Sequence, residues 1–339
     1  MIREAIDAIV NQGRSLSEQE ASAVMGEIME GEATPAQLGA FLVALRLKGE
    51  TAEEIAGMAR VMRAKALRVP FEGAPLLDTC GTGGDGMGTF NVSTAAAFVA
   101  AGAGAVVAKH GNRAMTSHCG SADVLEALGV KIDLPPEGVA HCLREVGIGF
   151  MFAPTFHPAM RFAAGPRREI GVRSVFNILG PLTNPAGARA QVLGVADAAI
   201  GEKMIQVLGR LGCGHALVVH GEDGLDEMTL GGPTLVYELV EGDIRSYRVT
   251  PAEVGLRQAS DKAVKGGSPE ENAAAMRAVF DGEQGPLRDI VLLNSAAALV
   301  AADKAASLTE GVTLAAQTID SGAAGRKLDR FIEETTSFG

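Results

Sequence analysis

The sequence predicts an α/β protein: a small all-helical domain over residues 1–70, then a larger α/β domain over 71–339 with a central, mostly parallel sheet. Three observations carry this expectation. The first seventy or so residues hold apolar positions at helical spacing between helix start and stop signals. After Pro70 the texture changes to short apolar runs that end in glycine-rich loops and lead into helical stretches. Two of those runs, Ala105-Val106-Val107-Ala108 and Ala216-Leu217-Val218-Val219, read as buried strands that lead directly into polar residues.

In the helical part, Ile2, Ile6, Ile9 and Val10 form one apolar face that stops at Gly13. Ser17 and Glu20 have the spacing of a capping box, in which a side chain at each position satisfies a backbone N–H of the other, and the segment they open ends near Gly31. Thr34-Pro35 starts the next helix and Gly49 stops it; Thr51 with Glu54 is a further capping box. In the second part, Lys109-His110-Gly111-Asn112-Arg113 and His220-Gly221-Glu222-Asp223 follow the two clearest strands. Ligands of open α/β sheets sit beyond the carboxyl ends of strands, so a site is expected at these junctions. A run from Leu235 to Val249 turns at Gly242-Asp243 as a hairpin, and the chain from Ser268 onward is mainly helical, with Ile290 to Leu293 readable as a strand or a buried helix turn.

Composition removes several function classes. Lys plus Arg total 30 against 41 Asp plus Glu, a net charge of −11, and 12 Phe, 2 Tyr and no Trp leave few stacking platforms. A nucleic-acid or anionic-membrane partner is therefore not expected, since both are held by clustered basic residues. The apolar stretch Ala95 to Ala108 is too short and too rich in Ala and Gly to span a bilayer. Met1 to Asp7 places acids where a secretory signal carries bases, and Cys80, Cys119, Cys142 and Cys213 form no Cys-x-x-Cys pair; a reducing cytoplasm is expected.

The densest chemical signal runs from Asp78 to Thr94. Gly81, Gly83, Gly84, Gly86 and Gly88 leave backbone N–H groups open to phosphate oxygens, and Asn91, Val92, Ser93 and Thr94 open a helix whose dipole favours an anion. Gly81 to Gly86 also matches G-x-G-x-x-G, but the helix starts near Ser93 and no acid lies where a dinucleotide ribose needs one; nor does Gly-Lys-Ser/Thr close a Walker loop. Lys109 to Ser117 adds two cations, an amide and two hydroxyls suited to a diphosphate, or reads as a solvated polar loop. Asp226-Glu227 reads as a solvated turn or, beside two phosphate-like loops, as the carboxylate half of a magnesium site shared with ligand phosphates. Basic residues between His157 and Arg173, followed by Phe176 to Pro185, offer a seat for an apolar carboxylate; helix-surface roles for the arginines stay open.

Taken together, Gly81-Thr82-Gly83-Gly84-Asp85, Asn91-Val92-Ser93-Thr94, Lys109-His110-Gly111-Asn112-Arg113, Gly120 to Glu126, His157-Pro158-Ala159-Met160, Phe176-Asn177, Gly180 to Pro185 and Asp226-Glu227 resemble the anthranilate phosphoribosyltransferases. The likeness runs through the whole chain in the family's order. It implies a class III phosphoribosyltransferase fold of the nucleoside phosphorylase type, with the helical domain completed by about 160–188, and a homodimer through the helical part. It further implies that Gly81, Gly84, Asp85, Thr89, Asn91, Val92, Ser93, Thr94, the loop Lys109, His110, Gly111, Asn112, Arg113, Ala114, Met115, Thr116 and Ser117, and Ser121 hold phosphoribosyl diphosphate. Ser93, Asp226 and Glu227 would bind Mg2+; Gly81, Asn112, His157 and Arg167 would line the anthranilate path; Lys109, Asp226 and Glu227 would be catalytic. His118 and Cys119 stand where the family pattern leads one to expect Lys and Ser. Two rivals remain: a pyrimidine nucleoside phosphorylase, which lacks use for the acid pair, and a silent nucleic-acid-binding relative, which the net charge opposes.

Overall fold

The computed structural model describes residues 1–114 and 118–338. Helices α1 (Ile2–Val10), α2 (Glu18–Glu30), α3 (Pro35–Lys48) and α4 (Ala52–Lys65) form where the apolar periodicity puts them. Both expected capping boxes are present, Ser17 with Glu20 and Thr51 with Glu54. Glu54 does more than cap: fully buried, it accepts from the Leu16 N–H and from Lys48 Nζ, each at 2.8 Å, and so ties the start of α4 to the neighbouring helix ends.

The remaining elements are β1 (Leu76–Gly81), α5 (Val92–Gly102), β2 (Val106–Gly111), α6 (Ser121–Ala127), α7 (Pro136–Glu145), β3 (Ile148–Phe152), α8 (Ala153–Phe156), α9 (Arg161–Ile170), α10 (Phe176–Leu179), β4 (Ala190–Gly194), α11 (Ala198–Arg210), β5 (His215–Gly221), β6 (Thr234–Val240), β7 (Asp243–Val249), α12 (Pro269–Phe280), α13 (Pro286–Ala301), α14 (Leu308–Asp320) and α15 (Ala323–Ser337). The seven strands lie in the order β3-β2-β1-β4-β5-β6-β7. All pairings from β3 across to β5 are parallel, and β6 and β7 add an antiparallel edge, so the sheet is mostly parallel as the sequence predicts.

Both faces of the sheet are covered. Leu217 and Val219 of β5 join a core with α5, α13 and α15, whereas the alternate residues Ala216 and Val218 join a second core with α1–α4 and α11. That alternation is the period of two that a strand imposes on its side chains. Ala163 of α9 and Phe176, Ile178 and Leu179 of α10 are buried in the same core as the N-terminal helices, which brings residues 161–179 against the bundle.

Three local readings change. The hairpin turns at Glu241-Gly242, one residue earlier than expected, with both residues at positive φ (48° and 100°), the backbone of a tight two-residue hairpin turn. Ile290 to Leu293 lie inside α13 as a buried helix turn. Strands β2 and β5 run through Gly111 and Gly221, so Lys109, His110 and His220 are strand residues rather than loop residues. The Lys109 ammonium donates to the Thr79 carbonyl and the His220 ring meets the Val195 carbonyl at 2.9 Å, whereas His110 Nε2 is buried without a hydrogen-bond partner among the described residues.

At the opposite end of the sheet, His215 bridges Glu238 on β6 (3.3 Å) and Asp303 beyond α13 (2.9 Å). Its pKa is raised above 6.5, first by the hydrogen bond to Glu238 and also by Asp303, against the opposing effect of burial. A raised folded-state pKa means that the native protein holds the proton more tightly than the unfolded chain. The stabilisation is then complete below the unfolded value and is lost as pH climbs through the folded one. His215→Gln should therefore lower the melting temperature by about 2 °C more near pH 6 than near pH 9. Thermal melts at both values check this, and an equal loss at the two would contradict it.

Candidate active site

The chain steps from β1 out to β2 and β3 on one side and returns at β4 on the other, so the strand order reverses between β1 and β4. A crevice opens beyond the carboxyl ends of the strands at such a point. Both strands end there in glycine, Gly81 paired with Gly194. A Cβ on Gly194 would stand 1.6 Å from the Asp226 carbonyl oxygen, and one on Gly81 would stand 2.5 Å from Asp226 Oδ2. Without side chains at these two positions, the loop after β5 crosses the strand ends and lays Asp226-Glu227 over them. The Gly83 N–H donates to Asp226 Oδ2 at 2.7 Å, and the N–H of Ser93, in the first turn of α5, donates to Glu227 Oε1 at 3.2 Å. The acid pair thus spans the glycine loop and the helix N-terminus that the sequence marks for an anion.

The pair is short of positive charge. Burial, followed by Glu227 and Asp85, pushes the Asp226 carboxyl well above its usual range. Burial likewise raises Glu227 to about 7, with Lys109 and the Ser93 hydrogen bonds pulling the other way. Carboxylates held this close in a desolvated crevice are neutralised by protons or by a cation. The hard oxygen donors of Asp226, Glu227 and the Ser93 hydroxyl fit Mg2+, which takes one or two carboxylates and completes its shell with phosphate oxygens and water.

Lys109, only 3% exposed, donates to the Thr79 carbonyl and, at 3.3 Å, to Ser93 Oγ. Burial lowers its pKa, and Asp78, Cys80 and Glu227 oppose that. Asp78 is itself fully buried; it accepts from the His110 N–H at 3.1 Å and from Asn184 Nδ2 at 2.8 Å. Asn184 also donates to the Ala108 carbonyl at 2.8 Å, so it fixes Asp78 against β2. Beside them His110 and His157 are buried with ring centroids 5.0 Å apart, and burial holds both neutral, with pKa values near 3 and 4.

The loop after β2 is held at both ends by Asp123, whose Oδ2 accepts from the Ala114 N–H at 2.9 Å and the Gly120 N–H at 2.8 Å. Arg113 pairs with Asp123 at 3.1 Å and with Glu126. Asn91 donates to the Cys119 carbonyl and accepts from Asn272 on α12 at 2.9 Å. Cys119 is buried, its thiol pushed up to about 11, while His118 is exposed on the cleft wall.

A cleft of about 430 Å³ gathers nearly all the residues that the sequence singles out: Gly81, Gly84, Asp85, Thr89, Asn91 to Thr94, Lys109 to Ala114, Ser121, Asp226 and Glu227. Met115, Thr116 and Ser117 lie outside the described residues. Two expected acceptor-side residues do not line this cleft. His157 packs behind His110, and the Arg167 guanidinium stacks on the Phe176 ring with its carbon 4.8 Å from the centroid. Conversely, Arg173 and Asn177 line the cleft although the sequence gives them no separate role, and Gly194, Asn184 and Asn272 support it from positions that no local motif marks.

Gly194→Ala should leave a folded protein whose Asp226 loop has moved by more than about 1 Å. Turnover should fall by roughly a hundredfold, the usual cost of such a misplacement. Kinetics together with a melt check this; near-normal turnover would contradict the packing of Asp226 on the strand end.

Comparison with known proteins agrees with the fold. A glycosyl transferase family α/β domain matches residues 73–325, and the helical bundle domain of the same family matches residues 3–66. The chain is 63% identical over 333 residues to anthranilate phosphoribosyltransferase of Chloroflexus aggregans, covering 98% of this chain and 97% of the relative. The crystal structure of the Thermus thermophilus anthranilate phosphoribosyltransferase superposes with a TM-score of 0.93 at 50% identity over 99% of both chains. The Saccharomyces cerevisiae enzyme in complex with PRPP and Mg superposes with a TM-score of 0.92 at 27% identity, over 99% of this chain and 98% of that one. The chain belongs to the anthranilate phosphoribosyltransferase family.

Proposed function

We propose that this protein transfers the phosphoribosyl group of 5-phosphoribosyl 1-diphosphate to the amine of anthranilate, giving N-(5-phosphoribosyl)anthranilate and diphosphate, a step of tryptophan biosynthesis. The observation that carries this reading is the acid pair Asp226-Glu227 set over the glycine loop and the start of α5 at the β1/β4 switch point. In the reaction the bond from ribose C1 to the diphosphate oxygen breaks, the amine nitrogen bonds to C1, and the nitrogen releases one proton. An aryl amine is neutral near pH 7, so the demand on the protein is to absorb charge on the leaving group and to align the two substrates.

The chain's own groups meet that demand as follows. Backbone N–H groups of the glycine loop other than that of Gly83, together with the positive N-terminal end of α5, hold the phosphate oxygens, and Lys109, kept at the Ser93 hydroxyl, adds a buried positive charge beside them. Asp226, Glu227 and Ser93 would hold Mg2+, which when bound neutralises charge on the diphosphate. Asp123 fixes both ends of the loop that carries Asn112 and Arg113; Asn112 and Gly81 line the proposed acceptor path, with His157 and Arg167 set behind the cleft wall against His110 and Phe176.

A homodimer through the helical part is part of the proposal. It is supported by Val10 on α1 and by Val43 and Leu47 on α3, which are exposed apolar residues, Leu47 to 82%. The four cysteines are free and buried, which supports the proposed cytoplasmic setting. Among the described residues no helix is long and apolar enough to cross a membrane.

The direct test follows anthranilate fluorescence after the protein is mixed with phosphoribosyl diphosphate. Decay that requires both the diphosphate and Mg2+ is expected, and intact anthranilate with folded protein would refute the reading. The Asp226→Asn/Glu227→Gln variant should lose Mg2+-dependent turnover. Because it removes repulsion between buried acids, its metal-free form should also melt at least about 2 °C higher than the parent. Retained turnover would remove the metal assignment.

A further inference from the structure

Arg173 stands on the short segment between α9 and α10, and its guanidinium spans the glycine loop. Its Nη2 donates to the Gly83 carbonyl at 3.2 Å and its Nη1 to the Gly84 carbonyl at 3.3 Å. Both of its hydrogen-bond partners among the described residues are thus main-chain oxygens. Gly84 has φ +80°, and a Cβ there would stand 1.5 Å from Arg173 Nη1, so the guanidinium fills the space that the glycine leaves.

The carbonyl of one residue and the N–H of the next point in opposite directions across a planar trans peptide. Holding the Gly83 and Gly84 carbonyls therefore also sets the directions of the Gly84 and Asp85 N–H groups, away from Arg173. Gly83 is fixed from its other side as well, since its N–H donates to Asp226 at 2.7 Å. A loop with four glycines at positive φ between Gly83 and Gly88 has few constraints of its own, so these external bonds decide its shape.

We propose that Arg173 is a positioning residue for the donor subsite: it stretches the glycine loop between itself and Asp226, so that the Gly84 and Asp85 amides are preset for the diphosphate of phosphoribosyl diphosphate. The proposal rests on the transferase reading and adds a residue to it. It also links the subsites, because Arg173 follows closely on α9, which carries Arg167 of the proposed acceptor side.

The test compares the parent protein with Arg173→Ala and Arg173→Lys. Titration calorimetry with phosphoribosyl diphosphate and Mg2+, steady-state kinetics and thermal melts are run on each. Arg173→Ala should raise both Kd and KM for phosphoribosyl diphosphate about tenfold, as expected for two lost charge-assisted hydrogen bonds to a flexible loop, with melting temperature unchanged and KM for anthranilate within about twofold. Arg173→Lys, which can reach one carbonyl at a time, should recover part of the loss. Parent-like donor Kd and KM in Arg173→Ala overturn the positioning role while leaving the transferase reading intact. An equal rise for both substrates with a lower melting temperature also overturns it, by showing a merely structural residue. A parent protein that neither binds the donor nor turns over overturns the transferase reading itself.

Discussion

The site depends on one close approach: Asp226 lies directly on the carboxyl ends of β1 and β4, its main chain against Gly194 and its carboxylate against Gly81, where a side chain on either glycine would collide with it. That contact brings a loop from one half of the sheet onto the glycine loop of the other half, at the point where the strand order reverses. It also places Asp226 and Glu227 against the N–H groups of Gly83 and Ser93, within reach of a phosphate held at the start of α5. A single methyl group at Gly194 would undo this arrangement without touching a reacting atom.

The second organising feature is charge. Asp78, Lys109 and Glu227 are drawn into a region where burial works against each charged form, and each is kept there by partners from distant parts of the chain. Asp78 has Asn184 and the His110 N–H, Lys109 has Thr79 and Ser93, and Glu227 has the Ser93 N–H. The Asp226 carboxyl is likewise raised, by burial and by its acidic neighbours Glu227 and Asp85. Such a cluster is poised to accept a divalent cation and a diphosphate together, which joins the stability of the crevice to occupancy of the site.

Much of this was legible in the sequence because parallel strands send their motif-bearing ends to one side of the sheet. The glycine loop, the Lys109 to Ala114 stretch and Asp226-Glu227 each follow a strand that the apolar pattern marks, and the fold brings them to one cleft. The helical caps were legible for a different reason: a capping box is a contact over three residues, local enough to read directly. What stayed hidden is long-range. Lys109 and His110 look like loop residues because they are polar, yet they belong to β2, and the groups that make burial tolerable lie about thirty residues away at Asp78 and Thr79. Arg173 reaches the glycine loop across 89 positions, and Gly194 is an ordinary glycine until Asp226 is seen against it. The hairpin turn was displaced by one residue because Glu241, not Asp243, takes the positive φ beside Gly242.

The most direct measurement is a crystal structure of the protein with phosphoribosyl diphosphate and Mn2+ in place of Mg2+, read by the anomalous signal of the metal. A peak is expected within roughly 2 Å of carboxylate oxygens of Asp226 or Glu227 and of a diphosphate oxygen. A metal bound only to the diphosphate and water, with both carboxylates turned away from it, would contradict the claim that the strand-end glycines exist to place this acid pair on the donor.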